Sequence, residues 1–415
     1  MRVEKPAIAG GQPAKVTPYG KANRYGEEEL AELKEALEQG SLFYAHGHKV
    51  TDLEAAFADF TGAAHAVATS SGTAAIHAAM IAAGISPGDE VIVAPITDMG
   101  SVIPILYQGA IPVFADLDPR TYCLDPTAVE AAISVRTTAV VAVHLWGNAC
   151  DVQALRTICD RQHITLIEDA AQAHGATVGG KSVGRFGAVG CFSFNEFKHV
   201  ACGDGGICIT DDEAVAHRLR LATDKCYDRS PSATSRNPTF LANNYRMTEL
   251  QGAVAVAQMR KLGGIVERRR AWCEALSRRL MGLPGILPPL PTVGANPSWW
   301  FYMLRVEPSV LGVDADGFAA ALREEGLPAF AHYIGQPVYT YPIFADHLAF
   351  ARGMHPYDGR TYRKGLCPAA EEILGTSVVL AVNEAYTDTD LLETAAAFEK
   401  VVAWYCNGAQ EAPHT

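Results

Sequence analysis

The sequence predicts an α/β protein with two parts: a large three-layer α/β/α domain on a mostly parallel sheet, followed by a smaller α+β domain. Three observations support this fold class. A chain of 415 residues is too long for one ordinary hydrophobic core. Strand-like and helical stretches alternate through the first half of the chain. A segment rich in proline and glycine, residues 282–297, then interrupts the alternation.

These observations divide the chain into four predicted regions: an N-terminal arm (1–25), the large domain (26–281), the small domain (282–410) and a tail (411–415). The arm carries glycine, proline and polar residues without a clear period. The large domain begins with a helix at Gly26, because three glutamates occupy the first turn and leucines recur at helical spacing. A second amphipathic helix is predicted over residues 52–61.

A short apolar strand then meets the turn 70–73, Ser-Ser-Gly-Thr, which leads into an alanine-rich helix that extends to Ala83. A strand that turns into a helix N-terminus in this way presents free backbone N–H groups to an anion. Strands are predicted over residues 90–94, 111–115, 139–144, 165–168, 188–194 and 207–210. Helices are predicted between them at 127–133 and 152–162. The alternation favours a parallel sheet covered on both faces, with ligands bound at the carboxyl ends of its strands.

The strand over 207–210 follows a glycine turn and is expected to be antiparallel or to lie at the sheet edge. A long helical region, 247–280, precedes the segment 282–297, which we interpret as a linker. The small domain is predicted to contain a strand over 300–306 and helices over 315–325 and 388–403. The polar residues 407–415 are expected to be disordered.

The composition excludes several classes of function. A net charge of −12 argues against a surface for nucleic acid or anionic membrane. No apolar run approaches the ~20 residues that cross a bilayer, and the N-terminus lacks a signal-peptide core, so a cytoplasmic location is expected. The ten cysteines lack CxxC spacing and are expected to be reduced. The histidines form no HExxH motif, so no metal site is expected.

The strongest catalytic candidates are a lysine and an aspartate that follow predicted strands. Lys198 lies in an apolar stretch before a glycine-rich turn. Burial would lower its pKa, so that a neutral amine could form a Schiff base with an aldehyde. Asp169 ends a strand, where it could pair with a protonated pyridine nitrogen. Together they suggest pyridoxal phosphate (PLP) chemistry; alternatively, Lys198 extends to solvent and Asp169 caps the following helix.

Other residues allow more than one interpretation. The turn 70–73 could bind a phosphate, with Ser193 adding a hydroxyl, although plain helix capping is preferred for the turn considered alone. His174 could face a cofactor or belong to the core. The aromatic residues 299–302, with His332 and Tyr333, could line a substrate entrance, but core or dimer interface is the preferred interpretation.

Further stretches match one known family in order along the chain. They are residues 26–30, 70–75 (SSGTAA), 114–118, 143–147, 168–175 (EDAAQAHG), 193–194 with Lys198, 203–206 (GDGG) and 244–251 (NYRMTELQ). These stretches resemble the DegT-type sugar aminotransferases, a subgroup of the fold-type I PLP enzymes. The resemblance extends from Gly26 to about Leu262 and continues more faintly to the C-terminus.

The resemblance implies that Lys198 binds PLP through a Schiff base and later moves a proton, while Asp169 contacts the pyridine nitrogen. It also implies that Gln172 contacts the phenolic oxygen and that Gly72, Thr73 and Ser193 contact the phosphate. Asn244 of a partner subunit would contact the same phosphate. A site shared between two chains implies an obligate homodimer.

Two stretches depart from the pattern of this family. After residues 95–97 the family usually has an aromatic residue that stacks on the cofactor, and here Asp98 and Met99 follow. Both are predicted to contact the cofactor: a thioether can cover a π face, and a carboxylate would change the electrostatics of the ring. The sequence around Lys198 also differs from the commoner Pro-Thr-Lys-Asn. We therefore place the chain in a divergent subgroup.

The resemblance implies a PLP-dependent aminotransferase that moves an amino group from glutamate or glutamine to a keto sugar. A nucleotide-linked sugar is expected, in amino-sugar and antibiotic biosynthesis. The alternatives are a ketocyclitol of the scyllo-inosose type as substrate, a PLP-dependent sugar dehydratase, and a catalytically silent PLP-binding protein. Family dehydratases tend to have histidine in place of the lysine, so Lys198 argues against that alternative. Lys198 and Asp169 together argue against a silent protein.

Overall fold

A computed structural model describes residues 4–230, 233, 236–351, 357 and 359–408. Helices and strands largely alternate from β1 to β5, and further strands and two helices follow up to the end of one long helix. In chain order these elements are α1 (Glu27–Glu38), α2 (Lys49–Thr61), β1 (His65–Thr69), α3 (Gly72–Ala83), β2 (Glu90–Val93), α4 (Ile103–Tyr107), β3 (Ile111–Phe114), α5 (Pro126–Ala132), β4 (Thr137–Val143), α6 (Val152–Gln162), β5 (Thr165–Asp169), β6 (Thr177–Val178), β7 (Lys181–Ser182), β8 (Val189–Ser193), β9 (Gly206–Thr210), α7 (Glu213–Thr223) and α8 (Glu249–Leu280).

Further elements follow α8. In chain order they are β10 (Ile286–Leu287), β11 (Ala295–Asn296), β12 (Phe301–Val306), α9 (Pro308–Leu311), α10 (Ala315–Glu324), β13 (Ala329–Ala331), α11 (Pro342–Ala345), α12 (Pro368–Thr376), β14 (Ser377–Ala381) and α13 (Asp388–Gly408).

The central sheet has seven strands in the order β1-β9-β8-β5-β4-β2-β3. The pairs from β8 to β3 are parallel, and β9 runs antiparallel to both of its neighbours. Strands β2, β3 and β8 are buried at every position, as expected for a sheet with both faces covered. The predicted fold class is confirmed. The strand after the glycine turn is antiparallel as expected, but the edge position belongs to β1, which covers β9.

Helix α3 connects the sheet to the region where ligands bind in this fold class. Its side chains from Ala74 to Ala82 are buried, and the helix packs against β8 and β9. The alanines allow this close approach because they add little bulk. Ser71 caps the first turn by accepting a hydrogen bond from the Ala74 N–H at 3.1 Å. The N-terminus of α3 therefore lies beside the carboxyl ends of the strands.

A second sheet, β10-β12-β14-β13, is antiparallel throughout. The segment 282–297 connects the two parts, but it is not the free linker that its composition suggested. Within it, β10 pairs with β12 of the second sheet and β11 pairs with β6 of the first part. These short ladders satisfy backbone groups of the segment and hold it against both parts. The boundaries at residues 281 and 410 stay predictions.

The described part of the arm and the last helix, α13, both contact α10 of the second part. The carboxylate of Glu325 accepts the backbone N–H groups of Ala7 and Ala14, each at 2.6 Å, and so anchors the arm. Helix α13 includes residues 407 and 408, so the disorder expected from their polar sequence is wrong for these two residues. Residues 1–3 of the arm and 409–415, which include the predicted tail, lie outside the described residues. Among the helices that the structure describes, none is long and apolar enough to cross a membrane.

Candidate active site

A pocket of about 360 Å³ lies at the carboxyl ends of β1, β5 and β8. It brings together most of the predicted site residues: Gly72, Thr73, Asp98, Asp169, Gln172, Ser193 and Lys198. Met99 is not in the pocket wall, because it begins a short turn and its side chain packs against the core. Asn244 is also outside this pocket; it forms an isolated bridge with Asp224.

One end of the pocket is suited to an anion. The backbone N–H groups of Gly72 and Thr73 begin α3 and have no partner among the described residues. Ser193 Oγ accepts the Asn195 N–H at 3.2 Å, so its own hydrogen is available to the pocket. A Cβ added at Gly72 would lie 2.7 Å from the Ser193 Cβ, so glycine is required where α3 approaches β8. Helix dipole, N–H groups and hydroxyl thus converge on one position.

Asp169 provides a buried carboxylate at the other end. Its Oδ2 accepts the hydroxyl of Ser101 at 2.6 Å, and its Oδ1 accepts the Ala171 N–H at 3.1 Å. Burial raises the pKa of Asp169, while these two hydrogen bonds and the charge of Lys198 act in the opposite direction. The alternative that Asp169 caps a helix is wrong, because turns follow β5.

The preceding residue, Glu168, has a structural role. Its carboxylate contacts His144 Nε2 at 3.0 Å and accepts backbone N–H groups of Gly184, Phe186 and Gly187 at 2.6 to 2.7 Å. These contacts use its oxygens fully, and the side chain is inaccessible to solvent. The acidic pair at the end of β5 therefore divides into one structural and one pocket-facing carboxylate, because successive side chains of a strand point to opposite faces.

Lys198 is buried rather than extended into solvent. Burial lowers the pKa of Lys198 to about 8, although the negative charges of Asp169 and Asp98 oppose this effect. Its ammonium lies 3.7 Å from the centroid of the Trp300 ring. At neutral to mildly alkaline pH an amine with this pKa can both accept and release a proton.

Gln172 completes the polar wall of the pocket. Its Oε1 accepts the backbone N–H of Trp146 at 2.9 Å, which leaves the Nε2 amide group as the available donor. That Nε2 atom lies 3.4 Å from the hydroxyl of Tyr333. The orientation is fixed by the backbone at Trp146, which adopts a left-handed conformation with φ of 51°. Gln172 is therefore oriented to donate a hydrogen bond into the pocket.

The ambiguous aromatic residues separate into two groups. Trp299 and Tyr302 are buried and stacked on one another in the core, whereas Trp300 and Tyr333 contact site residues. His174 is fully buried and packs edge-on against Phe192, so it is the core histidine. Burial and the nearby Lys198 charge lower its pKa to about 3.

Sequence analysis missed Ser101 as a site residue. A lone serine in a turn gives no signal by itself, and only its proximity to Asp169 shows its importance. The site as a whole offers a carboxylate, an amine, an amide donor and an anion-binding end. These groups match the pyridine nitrogen, aldehyde, phenolic oxygen and phosphate of PLP, and the residues present therefore fit this cofactor.

Comparison with known proteins gives the family. Residues 23–391 match the model of the DegT/DnrJ/EryC1/StrS aminotransferase family. The chain belongs to this family. It is a PLP-dependent aminotransferase, as the resemblance of its sequence implied, and PLP is its cofactor.

Individual relatives agree with this assignment over most of their length. The spore coat polysaccharide biosynthesis protein SpsC of Bacillus subtilis (strain 168) is 33% identical over 377 residues, which cover 88% of this chain and 96% of SpsC. The structure of S. venezuelae DesV in complex with a ketimine intermediate has a TM-score of 0.79 at 31% identity, covering 91% of this chain and 94% of DesV. The structure of DesI in the presence of its TDP-sugar product has a TM-score of 0.80 at 27% identity, covering 97% and 98%.

Proposed function

We propose that this aminotransferase moves an amino group from glutamate or glutamine to the keto group of a nucleotide-linked sugar. The observation that carries the proposal is the convergence of Lys198 and Asp169 on one pocket with an anion-binding end. The relatives support a sugar as acceptor, since SpsC takes part in polysaccharide biosynthesis and DesI was solved with its TDP-sugar product. A role in antibiotic formation and a cytoplasmic location belong to the same proposal.

In this proposal the residues hold the cofactor at three points. Asp169 keeps a proton on the pyridine nitrogen, and Ser101 and Ala171 fix its carboxylate in position. Gln172 donates its amide hydrogen to the phenolic oxygen. The N-terminus of α3 and Ser193 bind the phosphate. When bound, PLP supplies an electron sink and carries the amino group between donor and acceptor.

Lys198 is the proposed proton carrier. Its pKa of about 8 places the neutral amine within reach at physiological pH, which an exposed lysine does not achieve. The Nζ atom would accept a proton from the amino donor and return one to the carbon of the acceptor. Lys198 is 9% exposed, which limits the contact of its amine with solvent that would otherwise compete for the proton.

The direct test is Lys198→Ala, which should lower turnover at least about 10⁴-fold, because both covalent attachment and proton transfer are lost. The variant should also lose the absorbance of lysine-bound cofactor. The matched control is Lys34→Ala, since that side chain is 75% exposed on α1 and should leave turnover unchanged. Normal activity in Lys198→Ala would reject the proposal.

The acceptor is identified by comparing substrates with the purified holoenzyme. Keto sugars linked to TDP or UDP should be aminated, and an inosose should be a poor acceptor. Amination of the inosose alone would instead indicate the ketocyclitol enzyme, and release of water without amine transfer would indicate a dehydratase. A bound-cofactor absorbance that does not change with glutamate or glutamine would indicate a silent protein.

We further propose that the active enzyme is a homodimer in which Asn244 of one subunit completes the phosphate site of the other. The position of Asn244 is compatible with this, because the residue does not line the pocket of its own chain, although the next residue, Tyr245, accepts the Ser70 N–H at 2.7 Å. Among the described residues that line the pocket, Lys198 is the basic one, whereas Asp98, Asp169 and Asp204 are acidic. A phosphate dianion would thus gain from further donors supplied by the partner.

Hybrid dimers test the shared site. Lys198→Ala and Asn244→Ala should each be impaired, and a hybrid of the two would contain one intact site. Random mixing of equal amounts should restore about a quarter of the wild-type activity. Absence of recovery after verified subunit exchange would show that the two residues serve the same subunit's site.

A further inference from the structure

The indole of Trp300 is fixed above the ammonium of Lys198 by contacts on three sides. Its Nε1–H donates to the carbonyl of Phe197 at 2.6 Å, directly before the lysine. Its backbone N–H donates to the Trp146 carbonyl at 3.0 Å, and its carbonyl accepts from Arg269 at 3.2 Å. The ring face is therefore held 3.7 Å from Lys198 Nζ by the fold.

Two carboxylates of the pocket could bind the ammonium of Lys198 in place of the Trp300 ring. Asp98 and Asp169 line the same pocket, and both act on Lys198 through their charges. An ion pair with Asp169 would neutralise the carboxylate that the reaction needs at the ring nitrogen. It would also hold the proton on Lys198 more tightly. The face of an indole can stabilise a cation without using either carboxylate.

We propose that Trp300 is a positioning residue that receives the ammonium of Lys198 whenever this lysine is not bonded to the cofactor. The indole keeps the amine inside the pocket, close to its point of attachment and away from Asp169. Trp300 thereby influences how readily Lys198 gives up its proton. This inference rests on the role proposed for Lys198, and it goes beyond that role by assigning the residue that holds the free amine.

The backbone at Trp146 links this contact to the polar wall of the pocket. Its N–H donates to Gln172 Oε1, and its carbonyl accepts the N–H of Trp300. One peptide segment therefore orients both the amide beside the ring and the indole above the lysine. A displaced Trp300 would be expected to disturb Gln172 as well, so the test must separate the π face from the backbone contacts.

The first measurement uses the cofactor-free full-length chain, so its result does not depend on turnover. The rate of reductive methylation of Lys198 is followed by peptide mass spectrometry as a function of pH, with Lys34 as an internal reference. The proteins compared are the wild type, Trp300→Met, Trp300→Phe and a wild-type chain whose five tryptophans are replaced by trifluorotryptophan. Fluorination weakens the negative face of the ring while nearly keeping its shape.

Loss of the π face should raise the fraction of neutral Lys198 near pH 7, and hence its methylation rate, about two- to fivefold. Trp300→Met and the fluorinated protein should both show this increase, and Trp300→Phe should stay close to the wild type. If Trp300→Met is poorly folded or admits water to the site, the methylation rate of the fluorinated protein is the deciding measurement. An unchanged or slower rate in the fluorinated protein would overturn the proposal.

The second measurement uses the holoenzyme. Because Lys198 must be neutral to accept a proton, Trp300→Met should move the midpoint of the rising limb of the pH–rate profile, near pH 8, to lower pH. It should also reduce kcat about threefold to tenfold through loss of positioning, with partial rescue by Trp300→Phe. A structural role alone would lower stability without moving the midpoint. If neither measurement gives the expected result while Lys198→Ala is inactive, the role of Trp300 is rejected and the proposed function is left intact.

Discussion

Two buried lysines of this protein show opposite behaviour. Lys15, in the N-terminal arm, and Lys198, in the active site, are each nearly inaccessible, and each lies over an aromatic ring, at 4.3 Å and 3.7 Å from its centroid. Burial favours the neutral form of both. Nevertheless the pKa of Lys15 is raised, and that of Lys198 is lowered to about 8.

The difference comes from the carboxylates around each amine. The ammonium of Lys15 contacts Asp390 at 2.7 Å and Glu393 at 2.9 Å, and these contacts outweigh its desolvation. At the active site Asp169 accepts hydrogen bonds from Ser101 and Ala171, and among the described residues no carboxylate forms a close ion pair with Lys198. A buried lysine with close carboxylates keeps its charge and holds the chain in place, whereas a buried lysine without them has a lowered pKa, as a base requires.

The largest effect is expected from removing the ion pairs of Lys15 with Asp390 and Glu393. Lys15→Met should lower the free energy of unfolding by about 3 to 5 kcal/mol, because Asp390 would stay buried without its partner. The measurement is urea denaturation of the cofactor-free chain. Turnover of the folded holoenzyme should stay within about twofold of the wild type, since Lys15, Asp390 and Glu393 do not line the pocket.

The matched control for this prediction is an exposed pair. Lys34 and Glu38 lie 3.7 Å apart on α1, with 75% and 63% of their side chains exposed. Lys34→Met should therefore change stability by less than about 0.5 kcal/mol. Equal losses for Lys15→Met and Lys34→Met would show that the arm is not anchored by its buried ion pair.

The pH dependence of stability should distinguish the two lysines by sign. The folded chain holds the Lys198 proton less tightly than the unfolded chain, so the unfolded chain binds more protons between about pH 8 and the ordinary value of 10.5. The contribution of Lys198 to stability should therefore rise with pH across this window by roughly 3 kcal/mol, and the difference in stability between wild type and Lys198→Met should show this rise.

Lys15 should show the reverse behaviour. Its pKa is raised in the folded chain, so its contribution is fully present below pH 10.5 and is lost as the pH rises through the folded value. Stability curves of wild type, Lys15→Met and Lys198→Met between pH 7 and 11 provide the measurement. Parallel curves for the two variants would contradict the comparison.

A smaller effect is expected on the acid side of the active site. Ser101→Ala removes the hydroxyl that Asp169 accepts, which should raise the pKa of Asp169 further and lower kcat about tenfold. Because Asp169 acts in its ionised form, the acid limb of the pH–rate profile should move to higher pH. Ser101→Thr keeps the hydroxyl and should restore most activity; an unaltered acid limb in Ser101→Ala would show that this hydrogen bond does not tune Asp169.

Sequence patterns identified much of the fold and the family. The buried strands β2 and β4 and the alanine-rich helix α3 carry local signals, since their apolar content follows from where they lie in a covered sheet. Lys198 and Asp169 were recognisable because each follows such a strand. The patterns failed where tertiary pairing decides, as in residues 282–297, whose short strands join ladders of two different sheets.

Contacts between residues distant in the chain could not be inferred in the same way. Ser101 lies 68 positions before Asp169, and Trp300 lies about a hundred positions after Lys198. Neither residue has a local pattern that marks it as part of a site. Met99 shows the opposite case: its position beside Asp98 suggested a contact with the cofactor, whereas its side chain packs against the core.

By itself, then, the sequence predicted the main strands and helices, because these depend on local periodicity. It also predicted PLP chemistry, with Lys198 and Asp169 as the candidate residues, from their place after strands and from the resemblance to a family. Only the tertiary structure decided which charged side chains lie next to one another. The pKa of an amine depends on the few atoms packed around it, and the folded chain brings those atoms together from distant positions. Lys15 and Lys198 are the same residue type, and their neighbours raise the pKa of one and lower that of the other.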